Sequence, residues 1–221
     1  MLFRSLSRQI AETGQQLAVV GIPATIDNDI GCSHYTIGFD TACNTAIECA
    51  DKLRDTMQSH ERCSVLEVMG RHAGYLALDV GIAVGATAVL IPERPEDFAR
   101  DVVEKIRRAR LAGTTHYMVV VAEGAGSAFE ISRRIEEEVG IEPRVTVLGH
   151  IQRGGSPTAR DRETASHMGY EAVMSLVAGR GNRIIASQDG RIVDLDMEAA
   201  LAMAKEFDMQ RYHILESMTK V

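Results

Sequence analysis

Short apolar runs alternate along this chain with stretches whose apolar residues recur every third or fourth position. Leu17–Val20 is the first run, closed by the polar stretch GIPATIDNDIG at Gly21–Gly31. Phe39, Cys43, Ala46, Ile47, Ala50, Leu53 and Met57 fall on one stripe and predict a helix. Ser64–Met69 (SVLEVM) predicts a strand ended by Gly70-Arg71, and Tyr75–Val84, apolar on nearly all sides, a buried helix. Ala88–Ile91 predicts a strand stopped by Pro92. The next helix is expected from Pro95, with Glu96 and Asp97 in its first turn, Arg107, Arg108 and Arg110 in its last, and Gly113 closing it; that charge order suits the helix dipole. Tyr117–Ala122 (YMVVVA) is continuously apolar, as in strands of a parallel sheet buried on both faces. Further on, the pattern predicts a helix over Ser127–Val139, a strand over Arg144–Leu148, and a long helix over Pro157–Ala178 with Ser156 as its cap. Ile184–Ala186 and Ile192–Val193 flank Asp189-Gly190 as a hairpin, and Met197–Phe207 reads as a final helix. At the amino end, Leu2, Leu6 and Ile10 predict a helix stopped near Gly14.

Strands alternating with helices, with apolar runs in the strands, make an α/β sandwich of mostly parallel sheets. Such sheets bind ligands outside the carboxyl ends of their strands. Four polar clusters follow strands directly: Thr25-Ile26-Asp27-Asn28-Asp29, Met69-Gly70-Arg71, Glu123-Gly124, and Gly149-His150-Ile151-Gln152-Arg153-Gly154-Gly155. Singly, each has a plain reading. Asp and Asn after a strand bond their own backbone in turns, and an arginine or glutamate at a strand end is often only solvated. Together they supply Arg and His for a phosphate, Glu and Asn for hydroxyls, Asp as a base, and glycine where a ligand must approach the backbone. In an extended stretch alternate residues share a face, so Asp27 and Asp29 both qualify as the base on spacing alone.

Composition narrows the partners. The 221 residues carry 45% hydrophobic content, enough for a substantial core, and a net charge of −7, which argues against a nucleic-acid binder. The four cysteines, Cys32, Cys43, Cys49 and Cys63, form no CxxC pair, which fits a reduced, cytoplasmic setting. No apolar run approaches the ~18 residues of a membrane span, and the opening segment lacks the apolar centre of a signal peptide.

The motifs PATIDND, TIGFDTA, EVMGR and LGHIQRGGSP, in that order, resemble those of the 6-phosphofructokinases over essentially the whole chain. The resemblance implies a three-layer α/β/α fold with two intertwined parts. Residues 1–38 with 153–205 would belong to a nucleotide-binding part, and residues 39–152 with 206–221 to a sugar-phosphate part. It implies glycolytic transfer of the γ-phosphoryl of ATP to the 1-hydroxyl of fructose 6-phosphate, with Mg2+, in a cytoplasmic homotetramer whose sites are shared between subunits. Asp27 then matches the base, with Thr25 and Asp29 beside the transferring phosphoryl and the metal. Arg71 stabilises transition-state charge, Met69 and Gly70 line the sugar site, Glu123 holds sugar hydroxyls, and His150 and Arg153 hold the 6-phosphate. Arg62 and Arg144 match arginines that reach a neighbouring subunit's site, and Arg54 matches an effector-phosphate arginine.

The chain departs from the family pattern in one large respect. It contains no GGDGS, no G-x-x-x-x-G-K-[ST] and no G-x-G-x-x-G. The expectation is therefore a phosphofructokinase without its amino-terminal nucleotide-binding segment, inactive with ATP as it stands. Ala24 lacks the lysine of pyrophosphate users, and His150 also resembles the ATP branch. A pyrophosphate-dependent enzyme and a non-catalytic sugar-phosphate-binding protein remain as alternatives. Thr87 stands where bacterial members have a glutamate, which leaves nucleotide regulation open.

Overall fold

Strand residues that alternate in direction bury two different faces, and the two sheets of this chain are each covered on both. The computed structural model describes residues 17–57 and 62–218, together with the helical Gln9 and Glu12. The rest of the helix expected over Leu2–Ile10 lies outside the described residues. Backbone proximity divides the chain into two units. The first comprises the described parts of Met1–Thr25, Asp29–Phe39 and Pro157–Glu206; the second comprises Ile26–Asn28, Asp40–Ser156 and the described part of Phe207–Val221.

In the first unit β1 (Val20–Gly21) runs parallel to β6 (Arg183–Gln188), which pairs antiparallel with β7 (Arg191–Asp196). Asp189 and Gly190 join β6 to β7 with φ of 49° and 74°, the left-handed pair that a two-residue hairpin turn requires. Ile185 and Ile192 pack under α5 (Ala159–Val177) with Met168 and Ala172. Ile184, Ala186, Val193 and Leu195 face the other way, onto α6 (Met197–Ala202) through Met197 and Ala200. The strand expected over Leu17–Val20 starts late because β6 offers partners only from Arg183, opposite Val20; Leu17 is 58% exposed. The cap of α5 is Thr158, whose side chain accepts from Asp161 N at 3.2 Å, and not Ser156. Buried Asp161 fixes that helix start by accepting from Tyr35 Oη at 2.5 Å and Gly38 N at 2.7 Å.

In the second unit, apart from its first residue, lies α1 (Phe39–Met57), which follows the predicted stripe from end to end. Its sheet is parallel throughout, in the order β3-β4-β2-β5: β2 (Arg62–Val68), β3 (Ala88–Leu90), β4 (His116–Ala122) and β5 (Arg144–Val147). Cys63, Val65, Val119, Val121, Ala88 and Leu90 line one face. They pack against Val102 and Val103, against Ile106 of α3 (Glu104–Leu111), and against Ile131 and Ile135 of α4 (Ala128–Val139). The opposite face meets α2 (Tyr75–Ala83), whose Gly81 lies so close to Val89 that a Cβ there would come within 2.2 Å of a valine methyl. This is the helix expected to be apolar on nearly all sides: Leu76, Ala77, Leu78 and Val80 are all buried, and Asp79 meets Arg211 at 2.7 Å.

Two helix boundaries differ from the pattern. The helix expected from Pro95 begins at Phe98 and runs as a π-turn, Ala99–Val103, into α3. Asp97 is outside it and accepts from Arg100 N at 3.2 Å, so it acts as a cap. Asp101 is buried and receives both Arg94, at 2.6 and 2.9 Å, and Arg100. Met197–Phe207 is not one helix: α6 ends at Ala202, where Met203 turns extended with its carbonyl against Gly31. A separate α7 (Met209–Met218) follows in the second unit, inserting Tyr212 and Leu215 into the interior.

Candidate active site

Parallel pairing sends every loop that follows β2, β4 and β5 out of the same edge of the sheet. Val68 is opposite Ala122, and Glu67 opposite Val147, so Met69-Gly70-Arg71, Glu123-Gly124 and Gly149–Arg153 are neighbours by register. The Met69–Gly74 loop is the centre of this edge. Gly70 has φ of 138°, and a Cβ there would sit 2.4 Å from Ala73 O, so only glycine fits. Arg71 follows at φ 55°, a left-handed conformation that costs an L-residue about 1–2 kcal/mol.

Three side chains, from the loops after β5, β4 and β3, hold this loop by its backbone. Gln152 Oε1 accepts from Met69 N at 2.7 Å, Glu123 Oε1 from Arg71 N at 2.6 Å, and Glu93 Oε1 from Gly74 N at 2.8 Å. Gly124 closes the contact, because a Cβ there would lie 2.3 Å from Arg71 O. Glu67, within β2, accepts from Ala128 N at 2.9 Å and so caps α4, whose own N-cap, Ser127, makes no side-chain bond. The turn Gly149–Arg153 is a short 3-10 helix that leaves His150 and Arg153 exposed and Gln152 buried. The edge thus presents Arg71, His150, Arg153 and one unpinned oxygen of Glu123, in a form suited to a phosphorylated polyol.

The sequence expectations fall into three groups. Met69, Gly70, Arg71, Glu123, His150 and Arg153 come together at this edge. In the first cluster, Thr25 and exposed Asp29 belong to the first unit, and Asp27 with buried Asn28 (φ 53°) to the second. Thr25 O accepts from Thr36 Oγ1 at 2.6 Å. Arg62 and Arg144 are elsewhere: each is the first residue of its strand, at the amino edge of the sheet. About 20 Å of β2 separates Arg62 from the loop, given ~3.3 Å per residue. Within one chain these two arginines do not reach the Met69–Arg71 loop. Arg54 is also apart. It donates to Val84 O in a cavity of about 320 Å³ lined by Gly85, Thr87, Thr114 and His116, near the start of β4. Gln152, Glu93 and Glu67 were not among the candidate residues; Gln152 stands inside the LGHIQRGGSP motif, but Glu67 and Glu93 carry no local signal.

Among the described residues no cluster of three or more His, Cys, Asp or Glu side chains is placed to hold a metal ion. No described helix is long and apolar enough to cross a membrane.

Comparison with known proteins decides the family. The family model described as Phosphofructokinase matches residues 4–176. The chain belongs to the phosphofructokinase family. It is 50% identical over 207 residues to the ATP-dependent 6-phosphofructokinase of Bacillus thuringiensis (strain Al Hakam), covering 94% of this chain and 65% of that protein. The chain therefore spans about two thirds of the length of the curated phosphofructokinases it matches. Among solved structures, phosphofructokinase from Saccharomyces cerevisiae superposes with a TM-score of 0.80 at 29% identity, over 97% of this chain and 30% of that one. The T-state phosphofructokinase of Pichia pastoris gives 0.79 at 33% identity, over 94% and 23% respectively. The α/β architecture expected from the alternation is that of these phosphofructokinases.

Proposed function

We propose that this chain binds fructose 6-phosphate at the carboxyl edge of its parallel sheet and serves transfer of the γ-phosphoryl of ATP to the sugar 1-hydroxyl. The observation that carries the reading is the pinned Met69–Gly74 loop. It holds Arg71 in a left-handed conformation beside Glu123, with His150 and Arg153 one strand away. The name of the Bacillus thuringiensis relative supports ATP as donor. In this reading His150 and Arg153 hold the 6-phosphate, and the second oxygen of Glu123 accepts from sugar hydroxyls, because Arg71 N engages the first. Met69 and Gly70 form the floor. Asp27 takes the proton of the attacking hydroxyl, and Arg71 and Thr25 stabilise the moving phosphoryl. Phosphoryl transfer asks little more of a protein than placement and positive charge.

Mg2+ fits the chemistry of the donors present. The ion favours one or two carboxylates plus substrate phosphates over an all-protein cage, and exposed Asp29 is such a carboxylate. When bound, it would neutralise charge on the β- and γ-phosphate oxygens.

The position of Arg62 and Arg144 at the opposite sheet edge supports the further reading that they complete a neighbouring subunit's site in a homotetramer. The cavity around Arg54 supports an effector role for that residue, and a reduced cytoplasmic setting agrees with four free cysteines.

Calorimetric titration with fructose 6-phosphate, fructose and inorganic phosphate tests the substrate class. The sugar phosphate is expected to bind, and Arg153→Ala to weaken it at least tenfold. Asp27→Ser is expected to leave that affinity within threefold while lowering fructose 1,6-bisphosphate formation, in the protein at its natural length, by about 10²–10⁴. Equal affinity for phosphate and fructose 6-phosphate would sink the reading.

A further inference from the structure

The β2–β5 ladder ends in an unusual way. Leu148 N donates to Glu67 O at 3.1 Å, which extends the pairing one step beyond β5. A regular parallel ladder would next direct Met69 N at the Leu148 carbonyl. That carbonyl has turned into the 3-10 helix and accepts from Ile151 N at 3.4 Å. Gln152 takes its place, its Oε1 receiving Met69 N at 2.7 Å. An N–H faces this amide, so its oxygen must point toward Met69. Gln152 Nε2 is then directed into the interior, where it has no hydrogen-bond partner among the described residues. The side chain is 1% exposed.

A buried glutamine with an unpaired donor is a poor stabiliser, since the bond made to Met69 is offset by the group left unpaired. Its placement has a different effect. One hydrogen bond ties the backbone two residues before Arg71 to a side chain that stands between His150 and Arg153. We propose that Gln152 is a positioning residue, a side chain substituting for a strand carbonyl, that locks the Arg71 loop and the His150–Arg153 turn into one rigid ligand-binding unit. This rests on the sugar-phosphate reading above.

The test pairs two measurements on the 221-residue chain: amide hydrogen exchange at Met69, Gly70 and Leu66, and calorimetric binding of fructose 6-phosphate. Gln152→Met keeps the volume and removes the strong acceptor. It is expected to speed Met69 exchange at least tenfold, to leave Leu66 in the middle of β2 within twofold, and to weaken sugar-phosphate binding about five- to twentyfold. Gln152→Glu keeps an acceptor and is expected to restore Met69 protection. Met69 exchange that is unchanged in Gln152→Met, or that rises in step with Leu66, overturns the proposal. Faster Met69 exchange with unchanged sugar-phosphate affinity overturns it while the functional reading stands. An unsubstituted chain that binds no fructose 6-phosphate overturns both.

Discussion

Replacing Gly124 by alanine adds one methyl group at an exposed position, and it should nonetheless be among the costly substitutions in this chain. The new Cβ would stand 2.3 Å from Arg71 O and 3.3 Å from both Arg71 C and His72 Cα, all backbone atoms with no side-chain torsion to absorb the overlap. Ordinary contact begins near 3.5 Å, so the Glu123 and Arg71 loops must separate by about 1 Å. The Arg71 N to Glu123 Oε1 bond is 2.6 Å long, and the same displacement stretches it to about 3.6 Å, beyond a hydrogen bond. Overpacking costs about 1–3 kcal/mol and the lost bond about 1 kcal/mol, so the sum is about 2–4 kcal/mol. Urea unfolding followed by circular dichroism should show the midpoint falling by roughly 1 M for a slope of about 2–3 kcal/mol per M. Gly169→Ala is the control. It lies within α5 with nothing within 4 Å of the added methyl, and should stabilise by about 0.5–1 kcal/mol through helix propensity. A Gly124→Ala midpoint indistinguishable from the parent would refute the claim that the two loops are in rigid contact.

Burial works to raise the pKa of Asp101, but hydrogen bonds from Arg100, Arg94 and Asp97 N outweigh it and hold the carboxyl well below the usual range. A depressed folded-state pKa contributes stability that is present above the unfolded value near 4 and is lost as pH falls through the folded value. Asp101→Asn should therefore cost about 3 kcal/mol or more at neutral pH, with the gap to the parent narrowing below pH ~4 in acid-titrated melts. Burial pushes the Cys63 thiol up to about 12 and also raises Cys32, and both lie in the interior with Cys43. At pH 8, half-buried Cys49 should be alkylated first, and Cys63 only on unfolding, as read by intact mass with peptide mapping. If Arg144 completes a neighbour's site, mixed oligomers of Arg144→Ala and Asp27→Ala subunits, in full-length context, should regain turnover that neither shows alone; no recovery in verified mixtures would count against shared sites.

What the sequence made legible follows from how local each constraint is. The stripe from Phe39 to Met57 and the run YMVVVA are periodic signals within a single element, and they located α1 and β4 to within a residue. The carboxyl-edge clusters were legible because polar residues that follow an apolar run have only one place to go in a parallel sheet. The misplaced boundaries trace to distant partners. Asp101 draws Arg94 toward it and delays the helix past Pro95, Asp161 binds Tyr35 and Gly38, and Gly31 receives the carbonyl of Met203. Nothing near Met203 announces a residue 172 positions earlier (203 − 31). Gln152 and Glu93 escaped for the same reason, because each acts on a backbone N–H that belongs to another strand's loop.

The pairing of Val20 with Arg183 has a bearing on how the chain is made. At synthesis rates of ~5–20 residues per second, β1 leaves the ribosome roughly 10–30 s before the strand it pairs with. Asp40–Ser156, all of it in the second unit, is translated in that interval, and its four parallel strands can pair before β6 is made, with α7 added later. The first sheet, by contrast, must hold its opening strand in reserve while another core is built. Val19, Val20 and Ile22 spend that time without the β6 residues that later cover them, so this short segment keeps its apolar surface in water until β6 is made.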